Sequence, residues 1–393
     1  MPFPLLREHL RREYSTPIHP PGFGWLWVAI WVHMEFDFPV SQKILTSISR
    51  IDRFNERWAS GPGIPAARLA RMAEAARIQA VAASCRLSGI RVSDAEVAGL
   101  LRGESVPLRD STDVLGYAAG LDHSLPSAGE VLRSDDIRSL HAILVNSAGQ
   151  PSPPTPWRTM PHQFEAFDAD GHSTGRVFSA LPPRMIADKV EDLVTWLELE
   201  LRTGERHSIL VVGTFILGFL AASPFDAMNG RMARLLSYQL LKRAGYSFLP
   251  YASLERQMEE LREPMQEAYA RSQTLFWKGE PDLEIWLEYF LEMLVGHCDR
   301  VEAKTELERN RLTQTPLQRS ILELVNEHGS VDAGLLLEAT GANRNTLKDN
   351  LRRLVDRGTL ERTGQRRGTR YRLAGADRAR ASDGTPQRVD SEP

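Results

Sequence analysis

The sequence predicts a mainly α-helical protein with one short β-hairpin and a small, separate C-terminal module. Three observations carry that prediction. Apolar residues recur at helical spacing through most of the chain. Pro151, Pro153, Pro154 and Pro156 break the pattern between residues 146 and 183, where a helix cannot continue. From Pro316 onward, short amphipathic segments are followed by extended pieces, a pattern distinct from the one before it.

At 393 residues the chain has room for two or three domains. Its 42% hydrophobic and 25% charged content excludes disorder of the whole chain and a low-complexity nature. The formal net charge of −3 gives no overall basic field, so contact with nucleic acid or an anionic membrane would need a local patch. Cys85 and Cys298 match no metal or redox spacing and are read as core residues suited to a reducing cytosol. The apolar run Phe23–Met34 falls short of the roughly 20 residues of a spanning helix. With Trp25, Trp27 and Trp31 and no cleavage pattern, it is read as an aromatic packing element, and the protein is expected to be cytoplasmic without membrane contact.

The elements follow in order. Residues 65–83 carry Pro65 in the first turn and Leu69, Met72, Ala76 and Ala80 on one face, ending before Ser84. Ser93-Asp-Ala-Glu96 is a capping-box pattern that opens a helix through Leu101. Ser134 is expected to cap a helix whose apolar face is Ile137, Leu140, His141 and Leu144, the histidine being a hydrogen-bonded packing residue. Extended pieces around Trp157–His162 and Arg176–Ser179 flank the turn-rich Asp168-Ala-Asp-Gly171 and are expected to pair as a hairpin. Residues 184–201 form a helix with Ile186, Val190, Leu193 and Leu197 on one face. Residues 207–222 are apolar almost all round, the mark of a helix buried within a bundle. It ends at Ser223-Pro224, and the next runs from near Gly230 to Ala244. A further helix covers 283–313.

The segment Ser223-Pro-Phe-Asp-Ala-Met-Asn-Gly-Arg-Met-Ala-Arg234 joins the buried helix to its successor. An Asn229-Gly230 turn opening a helix presents backbone N–H groups without intrahelical acceptors at the positive end of the helix dipole, which suits an anion. Arg231 in the first turn and Arg234 three residues on share a face, so two guanidiniums could hold a polyphosphate. The plainer alternative is a capped helix with two solvated arginines.

This segment resembles the signature of Fic-domain (filamentation induced by cAMP) proteins, His-x-Phe-x-[Asp/Glu]-Gly-Asn-Gly-Arg-x-x-Arg, on a loop between two buried helices. Phe225, Asn229, Gly230, Arg231 and Arg234 match. Leu140-His141, Trp157-Arg158, Leu181-Pro-Pro183 and His207-Ser-Ile-Leu resemble the family's surroundings over roughly residues 65–245. The resemblance implies a Fic-type helical bundle with a β-hairpin flap and transfer of AMP from ATP to a target hydroxyl, in which the histidine is the general base and the acid binds Mg²⁺. Here those two places hold Ser223 and Ala227, and Met228 replaces the glycine. A serine hydroxyl cannot replace an imidazole of pKa about 6.5, and alanine offers a hard cation no oxygen, which argues against Mg²⁺. Asp226, one residue earlier, either reaches the metal by a slip of the loop or is a solvated or capping residue. Many family members carry an inhibitory [Ser/Thr]-x-x-x-Glu-[Gly/Asn] motif; Ser84-Cys-Arg-Leu-Ser-Gly89 matches its ends but has Ser88 at the glutamate.

From Pro316 the order is helix to His328, helix from Val331 to Thr340, the turn Gly341-Ala-Asn343, helix from Arg344 to Asp356, and two extended pieces around Gln365-Arg-Arg-Gly368. That is the order of a winged helix-turn-helix. Between Arg344 and Arg372 the local net charge is +7, leaving −10 for the rest of the chain, a polarisation expected where one face docks on phosphates. Arg344, Asn345 and Lys348 open the expected recognition helix, and Arg366 and Arg367 tip the wing. Winged helices also serve as protein contacts.

The expected organisation is an N-terminal accessory segment at 1–60, a Fic-like helical core at 61–300, a linker helix and winged helix at 301–373, and a disordered tail at 374–393. The expected function is a bacterial DNA-binding regulator whose degenerate pocket has lost AMP transfer yet holds ATP, another nucleotide or a phosphorylated ligand, with no metal. Homo-oligomerisation is left open. An enzyme of altered chemistry in the same pocket and a non-catalytic scaffold are the alternatives.

Overall fold

The computed structural model describes residues 36–127, 129–146, 153–167, 173–273, 276–278, 281–364 and 368–374. The Phe23–Met34 run, the Asp168-Ala-Asp-Gly171 turn, Arg366, Arg367 and the tail beyond Ala374 lie outside them.

In chain order the described residues form α1 (Gln42–Ala59), α2 (Ala66–Leu87), α3 (Asp94–Leu101), α4 (Ser111–Asp122), α5 (Ser134–Asn146), the strands β1 (Gln163–Phe167) and β2 (Ser173–Ser179), α6 (Pro183–Thr203), α7 (Ser208–Ala222) and α8 (Asn229–Arg243). There follow α9 (Leu254–Glu260), α10 (Arg262–Ser272), α11 (Leu283–Leu312), α12 (Pro316–His328), β3 (Val331–Asp332), α13 (Ala333–Thr340), α14 (Arg344–Asp356), β4 (Leu360–Thr363) and β5 (Arg370–Leu373). The protein is mainly helical, as its periodicity predicts. Among the described residues no helix is long and apolar enough to cross a membrane.

The chain divides into two units. The first comprises residues up to Ile44, Arg109–Ala244 and Leu261–Phe290. Its centre is α7, apolar all round and buried along almost its whole length. Two glycines let neighbours close on that helix: a Cβ at Gly218 would stand 2.6 Å from the Phe276 ring, and one at Gly213 would stand 2.9 Å from Leu287. The Gly213 carbonyl also accepts the indole N–H of buried Trp286 at 2.7 Å. Ile186, Val190, Leu193 and Leu197 of α6 are buried as their spacing predicts. Helix α4 packs on α8, Gly120 lying against Leu235 and the Gln239 amide bonding Gly120 O, His123 O and Leu125 N.

Two expectations in this unit are corrected. Ser134 does not cap α5 but is its first residue, and its hydroxyl bonds Glu191. The first hairpin strand starts at Gln163, not in Trp157–His162, and pairs antiparallel with β2 from Gln163↔Ser179 to Phe167↔Ser173 with a bulge between Glu165 and Phe167. Pro161 has no N–H for a ladder, and the Arg158 N–H is taken by Pro224 O at 2.9 Å.

The second unit comprises Leu45–Leu108, Gly245–Glu260 and the residues from Leu291 onward. Helix α2 runs beyond the expected end at residue 83 to Leu87, its wall of Ala80–Cys85 buried, and packs on α9 through Arg86, bidentate on Glu259 at 2.7 and 3.0 Å. The capping box at Ser93 forms as expected, with both reciprocal bonds present. Cys85 and Cys298 are buried and are not joined in a disulfide.

Within this unit, residues 315–373 surround their own apolar cluster of Ile321, Val325, Val331, Leu336, Leu347, Leu351, Leu354 and Leu360. The sheet order is β3-β5-β4, antiparallel throughout. Thr315 and Gln318 form a capping box on α12, Asp332 caps α13, and Asn343 caps α14. Val331 and Asp332 are a strand rather than the first helical residues, because Val331 pairs with Tyr371 and the Asp332 side chain accepts from Gly334 N and Leu335 N.

Candidate functional site

Helix α7 delivers the candidate loop. It ends at Ser223, whose backbone turns left-handed at φ +42° while its N–H bonds Phe219 O at 3.0 Å. The Ser223 hydroxyl donates back to Leu220 O at 2.9 Å and the residue is buried. Helix α8 begins after Met228, also left-handed at φ +63°. Among the described residues these two are the non-glycine positions of positive φ. Each carries a penalty of ~1–2 kcal/mol that surrounding contacts must offset.

Three side chains supply those contacts. Arg158 is 2% exposed, and its guanidinium donates to Ser223 O at 2.6 Å, Met160 O at 2.7 Å, Ala222 O at 3.2 Å and Leu181 O. Burial lowers its pKa and the Asp226 charge opposes that shift. Asn229 closes the loop on itself: its side-chain carbonyl accepts from Phe225 N at 3.0 Å and its amide donates to Phe225 O at 2.8 Å. His141, on α5, stacks on Phe225 and reaches Ala227 O at 3.1 Å. Its packing role is as the sequence predicts. Trp157 packs on Phe225 at 5.1 Å, with the Arg138 guanidinium over its own ring.

The loop's outer face is open. Asp226, Ala227 and Gly230 are exposed, whereas Arg231 and Arg234 are buried beneath. Arg231 Nη1 donates to Asp113 Oδ1 on α4 at 2.7 Å. A Cβ placed on Gly230 would stand 3.5 Å from Arg234 Nη1, so that guanidinium lies close under the start of α8. The Arg234 charge also acts on buried Tyr289, whose pKa burial raises and the guanidinium pulls back. The arrangement joins a helix N-terminus, whose first N–H groups have no intrahelical acceptor, to two guanidiniums.

The structure thus brings together Ser223, Asp226, Ala227, Met228, Asn229, Gly230, Arg231 and Arg234. Ser88 lies in the second unit at the C-cap of α2, its hydroxyl on Ser84 O at 3.0 Å. Arg344, Asn345 and Lys348 are exposed on α14. Among the described residues no three His, Cys, Asp or Glu side chains converge in the manner of a metal site. Asp113 and the pinning role of Arg158 escape sequence reasoning, since each acts on a partner 65 or more residues away with no local pattern to announce it.

Residues 131–241 match the Fic/DOC family profile. No curated protein matches. Among solved structures the chain is similar to a Fic family protein from Desulfovibrio desulfuricans, with TM-score 0.51 and 20% identity over 87% of this chain and 98% of that one. It is also similar to a Fic domain containing signaling protein from Bacteroides thetaiotaomicron, with TM-score 0.53 and 17% identity over 67% of this chain and 97% of that one. A third likeness is to Fic-1 (residues 134–508) from C. elegans, with TM-score 0.52 and 20% identity over 67% of this chain and 72% of that one. At these identities the solved structures speak for the fold. The matched profile and these structures agree on a Fic-type fold for residues 131–241, with the buried helix, loop and helix around Phe225 and Asn229 at its centre.

Proposed function

We propose that this chain is a degenerate Fic protein that retains a phosphate or nucleotide pocket, does not transfer AMP, and acts as a DNA-binding regulator through a C-terminal winged helix. The observation that carries the loss of transfer is the Ser223 hydroxyl, donated to Leu220 O at 2.9 Å in the place where the family has its histidine. That group neither titrates near neutral pH nor has its proton free. Ala227 contributes only a methyl where a carboxylate would hold Mg²⁺. The retained pocket is supported by the start of α8 and by Arg231 and Arg234 beneath it.

The DNA-binding reading is supported by the helix–strand–helix–helix–strand–strand order of residues 316–373 and by exposed Arg344, Asn345, Lys348, Arg352 and Arg353 on α14. Calorimetry with ATP, with and without Mg²⁺, together with mass spectrometry of the protein after incubation, tests the pocket and the chemistry at once. Binding without added AMP supports the reading, and robust AMP addition overturns it.

A further inference from the structure

We infer that Asp113 gates the loop pocket as an internal counter-ion, which a ligand with a multiply charged phosphate group must displace from Arg231. The inference rests on the pocket reading above and names its regulation. Asp113 Oδ1 accepts from Arg231 Nη1 at 2.7 Å; the guanidinium is 8% exposed and the carboxylate 26%. A guanidinium buried that deeply needs a counter-charge, since leaving one ion of a buried pair alone is strongly unfavourable. In the absence of a ligand, α4 provides it.

The geometry makes the two charges competitors. Arg231 stands in the first turn of α8 and Asp113 in the first turn of α4, so the carboxylate is held by the guanidinium and by the positive end of its own helix. A phosphate bound at the start of α8 seeks the same guanidinium, and with Asp113 in place it meets a carboxylate of like charge. Asp113 is also the more exposed partner. It is a quarter exposed, and Asp110 at the N-cap of α4 makes no side-chain capping bond that would pin this end of the helix. Its side chain can turn to water while Arg231 stays buried. A singly charged carboxylate ligand only exchanges like for like, whereas pyrophosphate or a nucleoside diphosphate brings more charge and also reaches Arg234. The ligand class is therefore a di- or polyphosphate.

The test is titration of the full chain with inorganic pyrophosphate by calorimetry, comparing the unaltered protein with Asp113→Asn, Asp113→Ser, Arg231→Ala and the double variant Asp113→Asn/Arg231→Ala, each checked for cooperative melting. The neutral variants are expected to bind about tenfold more tightly, the equivalent of ~1.4 kcal/mol. The gain is expected to vanish in the double variant. If pyrophosphate binds in an Arg231-dependent way and both Asp113 variants bind it no better, the gate falls and the pocket stands. If no folded variant binds pyrophosphate, the pocket reading falls and takes the gate with it.

Discussion

The imidazole of His141 lies flat on Phe225, ring centres 3.8 Å apart and planes 12° from parallel, with Nε2 3.1 Å from the carbonyl oxygen of Ala227. A carbonyl only accepts, so Nε2 carries the proton and Nδ1 is bare, buried and without a hydrogen-bond partner among the described residues. One neutral ring therefore ties α5 to the candidate loop. Burial holds its pKa below the usual histidine value, and the Ala227 carbonyl and the Asp226 charge pull it partly back.

This predicts acid sensitivity. A histidine whose folded pKa is depressed adds stability above its unfolded pKa of about 6.5, and that stability is lost as pH falls toward the folded value. His297, fully buried in the second unit and pushed down to about 3, obeys the same sign over a wider window. Each such ring gives a slope of at most ~1.4 kcal/mol per pH unit below about 6.5. Denaturant titrations between pH 7.5 and 4 are expected to show the loss, and His297→Gln to flatten it; equal slopes for both proteins would refute the assignment.

AMP transfer by the unaltered chain is expected to be undetectable beside that of an intact family member, because a missing base alone costs ~10²–10⁴ in rate. The triple variant Ser223→His, Ala227→Asp, Met228→Gly is expected to regain self-modification, read by mass spectrometry with ATP and Mg²⁺. No recovery in a folded triple variant would mean that the pocket itself has changed.

Met228→Gly alone is expected to stabilise the protein. A glycine at φ +63° escapes the left-handed penalty but gives up unfolded-state restriction, so the net gain is roughly 0.5–1 kcal/mol. Met228→Val, β-branched at the same φ, is expected to destabilise it. Thermal melts that rank the two variants the other way would contradict the strained-backbone account.

The full chain is expected to bind duplex DNA with an affinity that falls by ~0.9 log units per log unit of salt for each phosphate contacted. Replacing Arg366 and Arg367 together is expected to flatten that dependence by up to ~2 phosphate equivalents. Substituting Asn345 or Lys348 is expected to change sequence preference instead. Polarisation titrations at low salt with random duplex decide the matter; no binding at micromolar protein would make the C-terminal module a protein contact.

Helices were legible wherever one face is apolar and a local cap marks the end, as at Ser93 for α3 and in the all-apolar run of α7. The loop was legible because Phe225, Asn229 and Gly230 sit at fixed spacing. The hairpin's first strand was misplaced by several residues because a proline-rich lead-in reads as extended wherever it pairs. The Val331–Asp332 strand was missed since two residues carry no periodicity. Asp113 and Arg158 were invisible for a different reason: a carboxylate that meets a guanidinium 118 residues away leaves no trace in either local pattern.

The four guanidinium bonds of Arg158 end on main-chain oxygens, and its own N–H ends on that of Pro224. Every amino acid offers such an oxygen. The hold of Arg158 on the bend that leads from α7 into the loop is consequently blind to side chains, and Arg158 acts as a mould, while the left-handed turns at Ser223 and Met228 and the Asn229 side chain set which residues the loop itself accepts. Arg158→Met, which strands those oxygens in an apolar setting, removes the mould itself.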